Sequence, residues 1–205
     1  MKLTWLGHAC FALESAGYRL ILDPYTMDTY PPLHTFGNAV LCSHGHADHN
    51  YVDAVSLREG GASPFSVETV PTFHDERSGA LRGNNLMHVL RAEGLCVVHC
   101  GDLGHFPTQA QLAAISGADA LLIPVGGYYT IDAATAKRVV DAAKPRVVVP
   151  MHYRHAPYGL RPVGTLEQFT QLCTDVTRLD GNSFTLTADS PSGVVVPRYV
   201  PGAEN

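Results

Sequence analysis

The segment Ser43-His44-Gly45-His46-Ala47-Asp48-His49 places four side chains that can ligate metal within six residues. Residues two apart do not share a helix face. His44 and His46 therefore converge only on an extended or looped backbone, and Gly45 between them eases that turn. Asp48 and His49 are expected to open a following helix and to point elsewhere. One loop can thus feed two adjacent ions, His44 and His46 one, Asp48 and His49 the other. Two ions need more ligands than one loop supplies. Three more stand at the ends of apolar runs: His74 after residues 70–73, Asp102 after 97–101 and His152 after 147–151. Loops that open from strand ends are where α/β folds hold their sites. Imidazole is the commonest neutral metal ligand, and the chain carries 11 histidines. A lone HxH says little, but HxHxDH followed by these three residues says much more; the bland alternative is a histidine-rich loop with no metal.

Ligand types bound the chemistry. Two divalent ions bring four positive charges, of which Asp48, Asp102 and a bridging hydroxide remove three. The remaining positive charge favours an anionic or polarised substrate. Such ions lower the pKa of a shared water and stabilise an oxyanion or leaving group. Asp48 is the candidate to guide that water's proton. Imidazoles with carboxylates suit Zn²⁺ best, with Mn²⁺, Fe or Ni²⁺ as alternatives. Around this set, His8 reads as a partner that supports the site or as a buried turn histidine bonded to backbone. His105 reads as a proton donor or as a capping residue. Arg77 and Arg82 could hold an anion, although a solvated loop is the plainer reading. Ser43 is not marked as a nucleophile, since no GxSxG elbow surrounds it.

The elements that must position these residues follow from pattern. Residues 3–6, 10–14, 19–22 and 39–42 read as strands, the last leading straight into the histidine loop. Residues 50–57 read as a short helix and 65–73 as extended. Residues 86–91 and 95–100 flank a short Gly turn, as in a hairpin. In the second half, helices at 108–115, 132–143 and 165–172 alternate with strands at 118–125 and 146–150, and Asp132 and Thr165 are N-cap candidates. Residues 176–180, 183–186 and 194–196 read as late strands, and 201–205 as frayed. The fold class is α/β, with mixed sheets and helices outside.

Composition narrows the rest. The chain has 205 residues, 45% hydrophobic and 16% charged, with a formal net charge of −5. No clustered basic stripe is present, so nucleic acid is not the expected partner. No apolar run reaches the roughly 18 residues of a membrane span. The N-terminus makes a poor signal peptide. Five cysteines without a CxxC read as core residues in a reducing cytoplasm.

With HGHADH (44–49), His74, Gly101-Asp102 and Met151-His152 in this order, the sequence resembles the metallo-β-lactamase superfamily over most of its length. LGHACF (6–11), LDPY (22–25), GDLGH (101–105) and IPVGGYYTID (123–132) are similar to its stand-alone hydrolase branch. Ascorbate-6-phosphate lactonase and the N-acyl-phosphatidylethanolamine phospholipases are similar to that branch. The resemblance implies an αβ/βα four-layer sandwich of two mixed sheets flanked by helices, as one domain over residues 1–205, with the site at one edge. It implies His44, His46 and His74 on the first ion, Asp48, His49 and His152 on the second, and Asp102 bridging. It also puts Tyr128, Tyr129, Tyr153 and His155 in loops near the site. The flavodiiron branch has Glu where this chain has His46, and carries a flavin domain, which argues against oxygen chemistry. The expected function is hydrolysis, by a hydroxide activated by two metals, of an ester, lactone or phosphodiester bond in a small molecule. Alternatives are a phosphodiesterase acting on nucleotide or lipid-like headgroups, and a non-catalytic metal-binding sensor. Neither a membrane nor nucleic acid is an expected partner; a homo-oligomer is compatible with the sequence.

Overall fold

Period-two alternation in the first three strands sends side chains to two different cores. In β1 (Lys2–Gly7), β2 (Cys10–Ser15) and β3 (Tyr18–Leu22), the residues Leu3, Trp5, Phe11, Leu13, Leu20 and Leu22 enter the main core. The intervening Leu6, Cys10, Ala12 and Ile21 face a smaller cluster with Tyr25, Tyr30 and Val55. A sheet buried on both faces needs apolar residues at nearly every position, and these strands supply them. The computed structural model describes residues 1–202. In it, β13 (Ser183–Thr185) and β5 (Ala39–Leu41) flank these strands in the order β13-β1-β2-β3-β5, antiparallel except for the β3–β5 pair.

The second sheet begins with β7 (Ser66–Phe73), β8 (Asn84–Ala92) and β9 (Leu95–His99), all antiparallel. Glu93 and Gly94, both at positive φ, close the expected hairpin with the twist such a turn needs. From there the pairing is parallel through β10 (Ala120–Pro124), β11 (Val147–Met151), β14 (Gly193–Val196) and β12 (Val176–Arg178). Every residue of β10 and β11 is buried, as central parallel strands require.

The crossovers carry the helices. α1 (Gln109–Ile115) starts at a Thr108–Gln111 capping box. α2 (Ala133–Ala143) is capped by Asp132 and buries Ala133, Ala136, Val139 and Ala143 at helical spacing. α3 (Leu166–Thr170) begins after Thr165, which holds the N-cap position without a side-chain cap bond.

The two mixed sheets thus form the expected α/β sandwich, with two local corrections. Residues 50–57 are not a helix: a single 3₁₀ turn (Val52–Ala54) leads into β6 (Val55–Leu57). β6 pairs with β4 (Thr35–Gly37), which lies just after Pro31 and Pro32 in a stretch with no strand expected. That small sheet and the loop around Tyr25 and Tyr30 cover the outer face of the first sheet, where no helix lies among the described residues. The apolar content of 50–57 was real, but three residues of strand satisfy it as well as two turns of helix. The expectation of fraying at 201–205 falls in part on 203–205, outside the described residues.

Candidate metal centre

The histidine loop leaves β5 and runs along the edge where the two sheets meet. Asp48 and His49 sit in its turns rather than on a helix, which corrects the sequence expectation; His49 N–H donates to His46 O at 2.9 Å. The other ligand candidates arrive from strand ends as expected. His74 follows β7, Asp102 lies just beyond β9 and His152 follows β11. His74 N–H donates to Gly83 O at 3.0 Å, and His152 N–H to His8 O at 3.2 Å, so both ligand backbones are tied down.

All seven candidates converge. One ligand atom each from His44, His46 and His74 lies within 4.8 Å of the other two. Asp48, His49 and His152 form a second such group, which also takes in His8. Asp102 stands between them. Its Oδ2 is 3.1 Å from His74 Nε2 and 3.3 Å from His152 Nε2, while Oδ1 is 3.2 Å from His49 Nε2.

A buried carboxylate that the sequence reading passed over organises this cluster. Asp23, at φ +45° just after β3, is fully buried. Its Oδ2 accepts from His49 Nδ1 at 2.7 Å and from Ser43 Oγ at 2.6 Å, and its Oδ1 accepts from Ser43 N–H at 2.7 Å. Ser43 Oγ, with its proton given to Asp23, accepts from His44 Nδ1 at 2.9 Å. One carboxylate thereby fixes the tautomers of His49 directly and of His44 through Ser43, and turns both Nε2 atoms toward the cluster. The signal was present in the sequence: an Asp at a strand end, like Asp102, followed by a Pro that ends the strand. Asn85 was passed over as well. Its Oδ1 accepts from Asp102 N–H at 2.9 Å, and its Nδ2 donates to Thr72 Oγ1 and Cys100 O.

The electrostatics follow from this packing. Burial opposes ionisation of Asp23, yet the charges of His99 and His49 and the bonds from His49 and Ser43 hold it down to about 2. Asp102 is likewise held well below the usual carboxylate range, against its burial, by His152 and His49. Burial works against a charge on His49 too, but Asp102 and Asp23 hold its pKa well above the ordinary value. Burial, aided by neighbouring histidines, lowers His8 to about 4 and His44 to about 3.

These residues fit divalent ions. The buried Nε2 atoms of His8 and His44 have no hydrogen-bond partner, and His49 Nε2 and Asp102 Oδ1 meet only each other, at 3.2 Å. A buried polar atom left this way is costly unless something satisfies it. Imidazoles and carboxylates with donor atoms a few ångströms apart are what a Zn²⁺-like ion takes.

Other candidates are placed differently. His105 Nδ1 bonds to Phe106 O at 2.9 Å and its Nε2 accepts from Phe73 N–H at 3.2 Å. Both nitrogens are engaged with backbone, so the expectation of a proton donor gives way to that of a brace holding the end of β7. Tyr153 and His155 line a separate cavity with Trp5 and Tyr199. Arg77 is engaged through its backbone, its N–H donating to Asp75 Oδ1 at 2.8 Å and its C=O accepting from Ala80 N–H at 3.2 Å. Arg82, in contrast, lines a cavity of about 330 Å³ together with His46, Asp48, His74, Asp102, Tyr129 and Leu160. Its Nη2 donates to Tyr128 O at 3.1 Å, and its guanidinium lies 5.5 Å from the centre of the Tyr129 ring. The solvated-loop reading fits exposed Arg77, whereas half-buried Arg82 departs from it; buried Asp75 orders the loop backbone, accepting N–H bonds from Arg77, Gly79, Leu81 and Arg82.

Comparison with known proteins matches residues 2–152 to the family described as the beta-lactamase superfamily domain. A protein of Carboxydothermus hydrogenoformans named a UPF0173 metal-dependent hydrolase is 28% identical over 205 aligned residues, covering 82% of this chain and 91% of the relative. A crystal structure from Thermotoga maritima, described as a candidate Zn-dependent hydrolase of the metallo-β-lactamase superfamily, is 35% identical with a TM-score of 0.77. The match covers 97% of this chain and 99% of that one. A metallo hydrolase from Ignicoccus hospitalis is 25% identical, with a TM-score of 0.55 over 83% of this chain and 89% of its own.

Proposed function

The chain belongs to the beta-lactamase superfamily, and from that premise we propose that it is a hydrolase with two divalent ions. His44, His46 and His74 would hold one ion and Asp48, His49 and His152 the other, with the Asp102 carboxylate between the two groups. Zn²⁺ suits the donor set best; Mn²⁺, Fe and Ni²⁺ also suit it. When bound, the ions lower the pKa of a water and polarise the bond to be cut. The observation that carries this reading is the opening of four of these ligands, His46, Asp48, His74 and Asp102, into one cavity beside Arg82.

The protein's own groups divide the remaining work. Asp102 and Asp23 supply fixed negative charge, and Asp23 orients His49 and His44. Asp48, with a partly exposed side chain, is the group that can take the water's proton. Asp23 also revises the charge balance. With a third carboxylate inside the cluster, the residual positive charge expected from Asp48 and Asp102 alone is cancelled. Preference for an anion then rests on Arg82, whose fork suits a carboxylate or phosphate.

The substrate class that fits is a small anionic molecule with an ester, lactone or phosphodiester bond. A phosphorylated sugar lactone is one probe, following the likeness to ascorbate-6-phosphate lactonase. Exposed Tyr128 beside the cavity also offers a face for a nucleotide base, which keeps phosphodiesters in view. Both sheets contribute ligands, which supports one catalytic domain.

The test is metal analysis of the purified protein, with assays of lactones, carboxylate esters, thioesters and phosphodiesters under each metal. Two equivalents of metal, lost on chelation together with activity, are expected. Less than one equivalent under every condition overturns the reading; metal uptake with inactivity under every metal overturns the hydrolase and favours a metal-binding sensor. Asp48→Asn is expected to lose most activity; full activity with full metal content would remove the proton role.

A further inference from the structure

His8 lies outside the ligand set expected from the histidine loop, yet the fold presses it into the second group. It follows β1 at φ +51°, a left-handed conformation that a non-glycine residue adopts at some cost. That conformation is held from both sides: His8 O accepts from Trp5 Nε1 at 3.1 Å and from His152 N–H at 3.2 Å. The ring is buried. It lies 4.2 Å from the His152 ring and 5.0 Å from the His49 ring, and its Nε2 stands 3.5 Å from Asp48 Oδ2 with no hydrogen-bond partner. Ligand atoms of His8, Asp48, His49 and His152 all fall within 4.8 Å of one another.

The first group differs. His44 and His46 are partly or fully exposed, and His46 and His74 line the cavity. His8, His49 and His152 do not line it. We propose that His8 is a further protein ligand of the second ion, beside Asp48, His49, His152 and Asp102, so that three buried imidazoles wall this ion and only its two carboxylates reach the cavity. The ion at His44, His46 and His74 then keeps the open position where substrate binds. This division follows the general contrast between closed structural sites and open catalytic ones. It rests on the two-ion reading above.

The test is titration of metal-free protein with Co²⁺, following affinity and the visible ligand-field bands. Wild type, His8→Gly and His8→Asn are compared. Glycine accepts the positive φ and removes the ring; asparagine also tolerates it and keeps an amide that can hydrogen-bond Asp48. In both variants the first ion is expected to bind as in wild type. The second is expected to bind about tenfold or more weakly, with shifted bands. If His8→Asn retains the wild-type second step and bands, His8 only positions Asp48 and the proposal falls. It falls equally if both variants bind like wild type. If wild type itself takes up fewer than two ions, the two-ion reading fails, an outcome distinct from the others. Should His8→Gly not fold, His8→Asn carries the same comparison.

Discussion

At the scale of the residue, a metal site depends on which nitrogen of each imidazole carries the proton, and Asp23 sets this for two histidines. Replacing Asp23 with Asn keeps the shape but removes an acceptor. The amide cannot accept from both Ser43 and His49 while presenting N–H₂ to one of them. Metal affinity should fall by about 10- to 100-fold, measured by competition with a chromophoric chelator. Unchanged affinity would mean that His49 is oriented by Asp102 alone. Arg82 acts on a different quantity. It touches cavity and substrate rather than the ions, so Arg82→Ala should leave metal content intact. It should raise KM for an anionic ester at least about tenfold over a matched neutral one, as expected for a lost charge-assisted bond. Equal loss for both esters would refute anion recognition.

At the scale of the element, the site is a set of strand ends with unusual backbone. His8 after β1, Asp23 after β3 and His152 after β11 all have φ near +50° or slightly below, and each turns a side chain into the seam between the sheets. Strain of order 1 kcal/mol per residue is tolerated where packing fixes it. This explains what was legible in the sequence. His74, Asp102 and His152 were readable because apolar runs announce strands and the next polar residue stands at the edge. His8 and Asp23 stand in the same position. His8 was legible only as one of two alternatives, and the signal at Asp23 could not be tied to the site, because nothing local tells that β1 and β3 end at the same seam as β9 and β11; that is long-range pairing. The error at 50–57 has a related cause, since β6 exists only because β4 is there to pair with it. The loop at 75–83 is exposed at Glu76, Arg77 and Ser78, but four of its backbone N–H groups turn inward onto one buried carboxylate, which no side-chain pattern announces. Asp75→Ala should free that loop. Faster amide hydrogen exchange is expected at residues 77–82, with a raised KM and unaltered metal content. Unchanged exchange would show that the loop is held by other contacts.

At the scale of the whole molecule, the cluster makes stability a function of pH and metal together. In the metal-free protein His8 and His44 are lowered to about 4 and about 3, whereas an unfolded chain's histidine titrates near 6.5. Between those values the unfolded chain binds more protons than the folded one. Stability must therefore fall as the pH drops from about 6.5 to about 4, by up to about 1.4 kcal/mol per pH unit for each group. Asp23 and Asp102, both depressed, add their loss only below about pH 4. His49 works in the opposite sense. Its raised folded value gives stability fully present below about pH 6.5 and lost as the pH rises through that value. The metal-free chain should thus be most stable near pH 6.5, with two falling limbs. Metal changes the alkaline limb, because an ion on His49 Nε2 replaces the proton that caused it. Loaded protein should gain on the order of 4 kcal/mol per ion at a thousandfold excess over Kd, and its stability should stay flat above pH 6.5. Denaturant unfolding with chelator and with metal, from about pH 5 to 9, measures both curves. A metal-free curve that climbs steadily to alkaline pH would show that His49 does not hold a proton between Asp23 and Asp102. A decline above pH 6.5 equally steep with metal would show that the ions leave His49 untouched.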